Sequence, residues 1–232
     1  VRDLSHVTVR NSDIRGLEHA AALAWPGTEQ QWMDGWLLRA GSGQTSRANS
    51  AVPLLIESNI RALLDISAWY AERGLAPWLA LPERLLPIKT AGLKPTRVLV
   101  RDVPPVISPD AALSSSPDAD WLRIYRRDVS ADVLTAIDGE VTFARTGSGV
   151  GRGAVTVAPD GTRWLGISCV RVADGARRSG HARAVCAALH GASVIEVPAQ
   201  DTGDGWRSDL DAMADAALAA GASLVFVCNP GN

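Results

Sequence analysis

Three strand-like runs in succession, then a glycine bend and an alanine-rich helical stretch, dictate the plan of residues 141–190. The runs are Val141-Thr142-Phe143-Ala144, Gly153 to Ala158 and Trp164 to Val172, with Pro159-Asp160-Gly161 between the second and third. β-branched and aromatic residues suit a pleated, half-buried surface, while Pro-Asp-Gly supplies the fixed and positive φ angles of a tight turn. The pattern predicts an antiparallel meander. Its last strand breaks at Asp174-Gly175 into Arg177-Arg178-Ser179-Gly180-His181-Ala182-Arg183, and a helix follows.

A strand that bends through glycine into a helix aims several backbone N–H groups at one point, and the helix dipole adds partial positive charge there. Phosphate is the natural ligand of such a nest. Arg177, Arg178 and Arg183 add full charges around it, and Gly180 and Ala182 keep bulk away from an approaching pyrophosphate. Ser179 lies within the turn, and His181 either turns a ring N–H to the phosphate or stands as an exposed loop histidine. The bare pattern Arg/Gln-x-x-Gly-x-Gly/Ala arises readily by chance in a chain with 21 glycines, so the strands ahead of it carry its weight.

With Val170-Arg171-Val172 placed before Arg177 to Ala182, the segment resembles the acetyl-CoA-binding core of the GNAT superfamily of N-acetyltransferases. The resemblance implies that backbone groups of Val170 and Val172 pair with the pantetheine arm of acetyl-CoA, the co-substrate. Amides from Arg178 to Arg183 would hold its pyrophosphate. Asp174 stands where the family usually has proline, and Ala176 where it has an aromatic residue. Further back, Ala24-Trp25-Pro26-Gly27, Gly35-Trp36-Leu37-Leu38-Arg39-Ala40 and Ser46-Arg47-Ala48-Asn49-Ser50-Ala51-Val52-Pro53 are similar to the N-terminal part of a two-part GNAT subfamily found in high-GC bacteria. Together these stretches cover roughly residues 16–190. The implied fold is α/β, a mixed and mostly antiparallel central sheet flanked by helices, with an N-terminal GNAT-like half.

Past Leu189 the resemblance stops. The Asn-x-x-Ala-x-x-Leu-Tyr element, whose tyrosine often acts as general acid in that family, is missing. Instead Ser193 to Pro198, Ser208 to Met213 and Leu224 to Pro230 resemble part of the large domain of PLP-dependent aminotransferases of the histidinol-phosphate type. That fold needs a Schiff-base lysine, and the chain has only Lys89 and Lys94, both far from this tail. The tail's pattern predicts a strand at 193–197, a helix at 208–220 and a strand at 223–228, able to fill the last slots of the same sheet. Since the chain also begins at Val1, the expectation is a segment, or a joined reading frame with an atypical tail from about residue 191.

Composition narrows the partners. The chain has 232 residues, is 47% hydrophobic and 21% charged, and carries a net charge of −2, which gives no basic field for nucleic acid or anionic lipid. Cys169, Cys186 and Cys228 are widely spaced and lack metal-ligand spacing, so they read as buried hydrophobes of a reducing compartment, with no metal site. No signal peptide or membrane-length apolar run is visible, and cytoplasm is the default.

Proline and serine cluster at 104–118, read as a linker between an N-terminal half (1–103) and a C-terminal acetyl-CoA-binding half (119–232). Predicted elements of the first half are a helix from Ser12, as N-cap, to Ala24, a helix at 58–73 with Ile60, Leu63, Leu64, Ser67 and Tyr70-Ala71 on one face, a strand at 77–81, a short helix at 83–86 and a strand at 96–102. A short helix at 128–137 opens the second half. The expected reaction is acetyl transfer to a primary amine of a small molecule or amino acid derivative, and a silent acyl-CoA-binding domain is the alternative. No catalytic residue is assigned. Glu196 is weighed as a base but alternates with strand apolar residues, and Tyr70 and Tyr125 fit packing.

Overall fold

The computed structural model describes residues 11–88, 92–94, 111–190, 200–201 and 206–207. Helix α1 (Asn11–Leu23) leads into strands β1 (Glu29–Met33), β2 (Trp36–Ala40) and β3 (Ser50–Pro53), then a 3-10 turn at Ile60–Ala62, helix α2 (Leu63–Ala71) and strand β4 (Trp78–Leu79). These strands form a sheet in the order β1-β2-β3-β4, antiparallel except that β4 runs parallel to β3. Next come β5 (Ala112–Ser114), α3 (Ala119–Tyr125), α4 (Ala131–Thr135), β6 (Glu140–Thr146), β7 (Gly149–Val157), β8 (Arg163–Val172) and α5 (His181–His190). Their sheet has the order β5-β6-β7-β8 and is antiparallel throughout. A two-stranded ribbon pairs β9 (Gln200–Asp201) with β10 (Trp206–Arg207). The fold is thus α/β, with mostly antiparallel sheets flanked by helices.

The predicted meander is present, and its Pro159-Asp160-Gly161 turn closes through Gly161 N donating to Ala158 O and Ala158 N to Thr162 O, with Gly161 at φ 84°. Other expectations shift. Ser12 is inside α1, which already contains Asn11, and its hydroxyl turns to the Asp13 carboxylate. The helix predicted from Ser58 starts instead as the 3-10 turn, capped by Asn59, whose side chain accepts from Arg61 N. That tighter turn changes the angular phase, so the buried face is Ala62, Ile66, Trp69 and Tyr70, while Ile60 and Leu64 are 59% and 83% exposed. Residues 83–86 form a turn rather than a helix. Within the proline and serine cluster, Ala112–Ser114 adds an edge strand to β6, and Asp118 caps α3 by accepting from Trp121 N at 2.7 Å. The strands predicted at 96–102, 193–197 and 223–228, the helix at 208–220, Glu196 and Cys228 lie outside the described residues.

Helix α1 joins the two sheets. Thr156 Oγ1 on β7 donates to Ala20 O at 2.8 Å, and Ala24 and Trp25 pack with Trp121, Tyr125, Val133, Phe143 and Val150 in one core cluster. From the other side, the fully buried region of β2 supplies Arg39, whose guanidinium reaches Ala22 O, Trp25 O, Ser50 O and Ser50 Oγ. Arg39 therefore caps the C-terminal end of α1, where the helix dipole favours a cation. Tyr70 Oη donates to Arg39 O and accepts from Arg39 N, which accounts for its burial as packing.

Candidate functional site

The junction that ends the meander is built from the sheet outward. On β7, Gly149, Gly151 and Gly153 occupy alternate positions and so share one face, the face that α5 covers. A Cβ at Gly149 would stand 2.8 Å from His181 Cβ, one at Gly153 would stand 3.0 Å from Leu189 Cδ2, and one at Gly151 would collide with Val185 Cγ1. Three missing side chains let the helix sit low on the sheet. Val185 and Ala188 are buried there with Ala144.

Between β8 and α5 the chain makes two bends. Ala176 N donates to Ala173 O across a turn with Gly175 at φ 84°, and Arg178 and Gly180 follow at φ 66° and 76°. A left-handed Arg178 is unusual for a residue with a Cβ, and the two bends together turn the chain from the sheet edge to the helix axis. The α5 hydrogen-bond ladder begins with Ala184 N donating to Gly180 O at 3.0 Å. The amides of the preceding turn therefore lie at the N-terminal end of a ten-residue helix. Residues 177–180 are turn and bend, and Ala182 and Arg183 are in the first helical turn.

Around this junction Arg177, Arg178 and Ser179 are exposed and Gly180, Ala182 and Arg183 half-buried. Val170 is 40% exposed and Val172 half-buried on β8, at the edge of the described sheet. The carboxylate of Asp174 accepts from Arg177 Nη2 and from Arg126 Nη1, each at 3.1 Å. Asp174 thus links the phosphate-type turn to Arg126, the left-handed C-cap of α3, through exposed ion pairs worth about 0–1 kcal/mol each. His181 turns away from the nest. Its ring lies against Gly147, with Cε1 3.0 Å from where a Cβ would be, and its carbonyl accepts from Thr146 Oγ1.

One feature sequence reasoning missed is a bulge in β8. Val150 pairs with Arg171 and Arg152 with Ser168, so Cys169 and Val170 together face Gly151, and Cys169 takes φ 56°. The bulge brings Cys169 against the core cluster that holds Tyr125, and burial raises the pKa of both groups. Among the described residues no cluster of His, Cys, Asp or Glu could hold a metal ion, and no helix is long and apolar enough to cross a membrane.

An antiparallel sheet whose bulged edge strand bends into the N-terminus of a helix, with Arg177, Arg178 and Arg183 around the bend, defines the site's geometry. The chain belongs to the family described as Probable histone acetyltransferase Rv0428c C-terminal, which it matches over residues 11–194. It is 50% identical over 188 residues to the probable histone acetyltransferase Rv0428c of Mycobacterium tuberculosis, an alignment covering 78% of this chain and 62% of that protein. The chain therefore spans less than two thirds of that relative's length. A GCN5-related N-acetyltransferase structure from Kribbella flavida aligns with a TM-score of 0.40 and 16% identity, over 79% of this chain and 81% of that one. A stretch of 49 residues, 21% of this chain, is 59% identical to histidinol-phosphate aminotransferase of Stenotrophomonas maltophilia and covers 14% of that enzyme.

Proposed function

We propose that the chain transfers an acetyl group from acetyl-CoA to a primary amine of a small molecule or amino acid derivative. The observation that carries this reading is the β8-α5 junction, where positive-φ bends at Gly175, Arg178 and Gly180 deliver the chain to the N-terminus of α5. In this reading the amides from Arg178 to Arg183 hold the pyrophosphate, the edge of β8 at exposed Val170 and half-buried Val172 pairs with the pantetheine arm, and Arg177 adds charge from the side. Family membership supports the same reaction class.

Acetyl transfer needs a neutral amine, a route for its proton and donors for the tetrahedral oxyanion. The bulge at Cys169 and Val170 takes a residue out of the ladder with β7, and a backbone N–H released there is a fitting oxyanion donor. A catalytically silent acyl-CoA-binding protein is favoured by one observation: neither tyrosine reaches the nest, since Tyr70 is spent on the Arg39 backbone and Tyr125 is buried at 9% exposure. Acetyl-CoA binding without CoA release across an amine panel selects that second reading.

The test is Gly180→Glu, which places a side chain and a negative charge at a φ of 76°, where L-residues are strained and the phosphate would lie. Calorimetric titration with acetyl-CoA should lose all saturable heat while the far-ultraviolet circular dichroism stays unchanged. Wild-type affinity in the variant would refute the assignment.

A further inference from the structure

Among the described residues two guanidinium groups are buried, Arg39 and Arg152, and Arg39 is fully used. Arg39 is 5% exposed and spends Nε, Nη1 and Nη2 on Ser50, Ala22 and Trp25, with the Glu18 carboxylate within electrostatic reach. Arg152, on β7, is fully buried among Val150, Ala154 and the rest of the core cluster. Its Nε donates to Leu134 O at 2.7 Å, its Nη2 to Ala136 O at 3.4 Å, and its guanidinium stacks 4.5 Å over the Trp25 ring. Its Nη1 has no hydrogen-bond partner among the described residues.

The groups that act on the Arg152 charge are Cys169, Tyr125 and a second cation, Arg47. No carboxylate of the described residues is among them. An unpaired buried charge costs several kcal/mol in general, so a fold that keeps one gains strongly from any anion that reaches it. Arg47 comes from the other sheet. Its loop, residues 41–49, is pinned by Asn49, whose Oδ1 accepts from Gly41 N and Gly43 N, and is docked on α4 by Ser130 N donating to Gln44 Oε1.

Position gives this charge a purpose. Arg152 pairs with Ser168, the residue just before the bulge at Cys169 and Val170. Its guanidinium lies over Trp25, which shares one core cluster with Tyr125 and with Cys169 of the bulge.

We propose that Arg152 and Arg47 receive a carboxylate of the acceptor, so that the substrate is an amino acid or another amine with a carboxylate a few bonds from its nucleophilic nitrogen. This deepens, and rests on, the acetyltransferase reading above. The guanidinium is fully covered, so the proposal requires the side chains over it to move aside when the carboxylate binds.

The experiment compares amino acids with their carboxamides as acceptors for the full chain, at matched concentration of free amine. A site built to bond a polar group rejects the analogue lacking it, and kcat/KM should favour the carboxylate by about 100-fold. Arg47→Gln should cut that preference about 10-fold, because it removes the exposed one of the two cations, while leaving the calorimetric affinity for acetyl-CoA unchanged. Arg152→Lys should abolish it, and if that variant does not fold, Arg47→Gln carries the test. Equal kcat/KM for acid and amide overturns the proposal. If no amine is acetylated at all, the reaction reading fails separately, and nuclear magnetic resonance of the Arg152 Nε–H group during titration with the free amino acid decides the carboxylate site: a saturable shift supports it, and no shift overturns it.

Discussion

His19 projects from α1 onto the Trp32 ring, with centroids 6.1 Å apart and planes 25° from parallel, and its buried Nδ1 has no hydrogen-bond partner among the described residues. Burial holds its pKa below the usual 6.5. The folded state therefore binds fewer protons than the unfolded state just below pH 6.5, and stability that is complete above that pH is lost as the pH falls. His19→Phe keeps a ring against Trp32 and removes the titration, so the drop in thermal midpoint of the wild type between neutral and mildly acidic buffer should vanish in the variant. A drop of equal size would exclude His19 as the cause. Glu18 works in the opposite sense: burial raises its pKa above 4.5 against the pull of Arg39, so its contribution declines as pH rises through the folded value. Single residues were unevenly legible in the sequence. The arginines, Gly180 and Ala182 announce themselves by type and spacing, whereas Tyr125 and Arg152 gain their places from a bulge, which depends on strand register rather than on local pattern.

At the scale of elements, the row Gly149, Gly151 and Gly153 shows why β7 was read four residues too short, from Gly153 instead of Gly149. Glycine is depleted in strands, so a propensity argument discards the very residues that let α5 approach. The same row suggests its own test. In Gly151→Ala the new Cβ meets Val185 Cγ1 and stands 3.2 Å from Leu189 Cδ1, so α5 must lift. Overpacking of this kind costs about 1–3 kcal/mol, and because the lifted helix carries the turn proposed to hold the pyrophosphate, acetyl-CoA affinity should fall with stability. Urea denaturation and calorimetry measure the two; a stable variant with full affinity would show that the close seating of α5 is not required. The helix at 58–73 failed in a different way. Its existence was plain from apolar spacing, but the Asn59 cap and the 3-10 turn at Ile60–Ala62 rotated the buried face, and no periodicity count registers a change of helical type partway along.

At the scale of the whole molecule, α1 contacts both sheets. It bonds β7 through Thr156 Oγ1 and Ala20 O, and its C-terminal end is held by Arg39 of β2. The sequence predicts two halves joined by a proline-rich stretch, and a contact that connects residue 20 to residue 156 leaves no local signal in either place. A ligand at the β8-α5 junction should then stabilise the distant sheet as well. Binding to the folded state alone adds about 2.7 kcal/mol at a ligand concentration 100 times Kd. If the sheets unfold together, hydrogen exchange should slow to the same extent in the slowest amides of β2 and of β7 when acetyl-CoA is added. Thr156→Val, which removes the donor to Ala20 O, should weaken that coupling and leave β7 more protected by ligand than β2. Protection confined to β7 in the wild type would mean that the sheets open independently and that α1 merely lies between them.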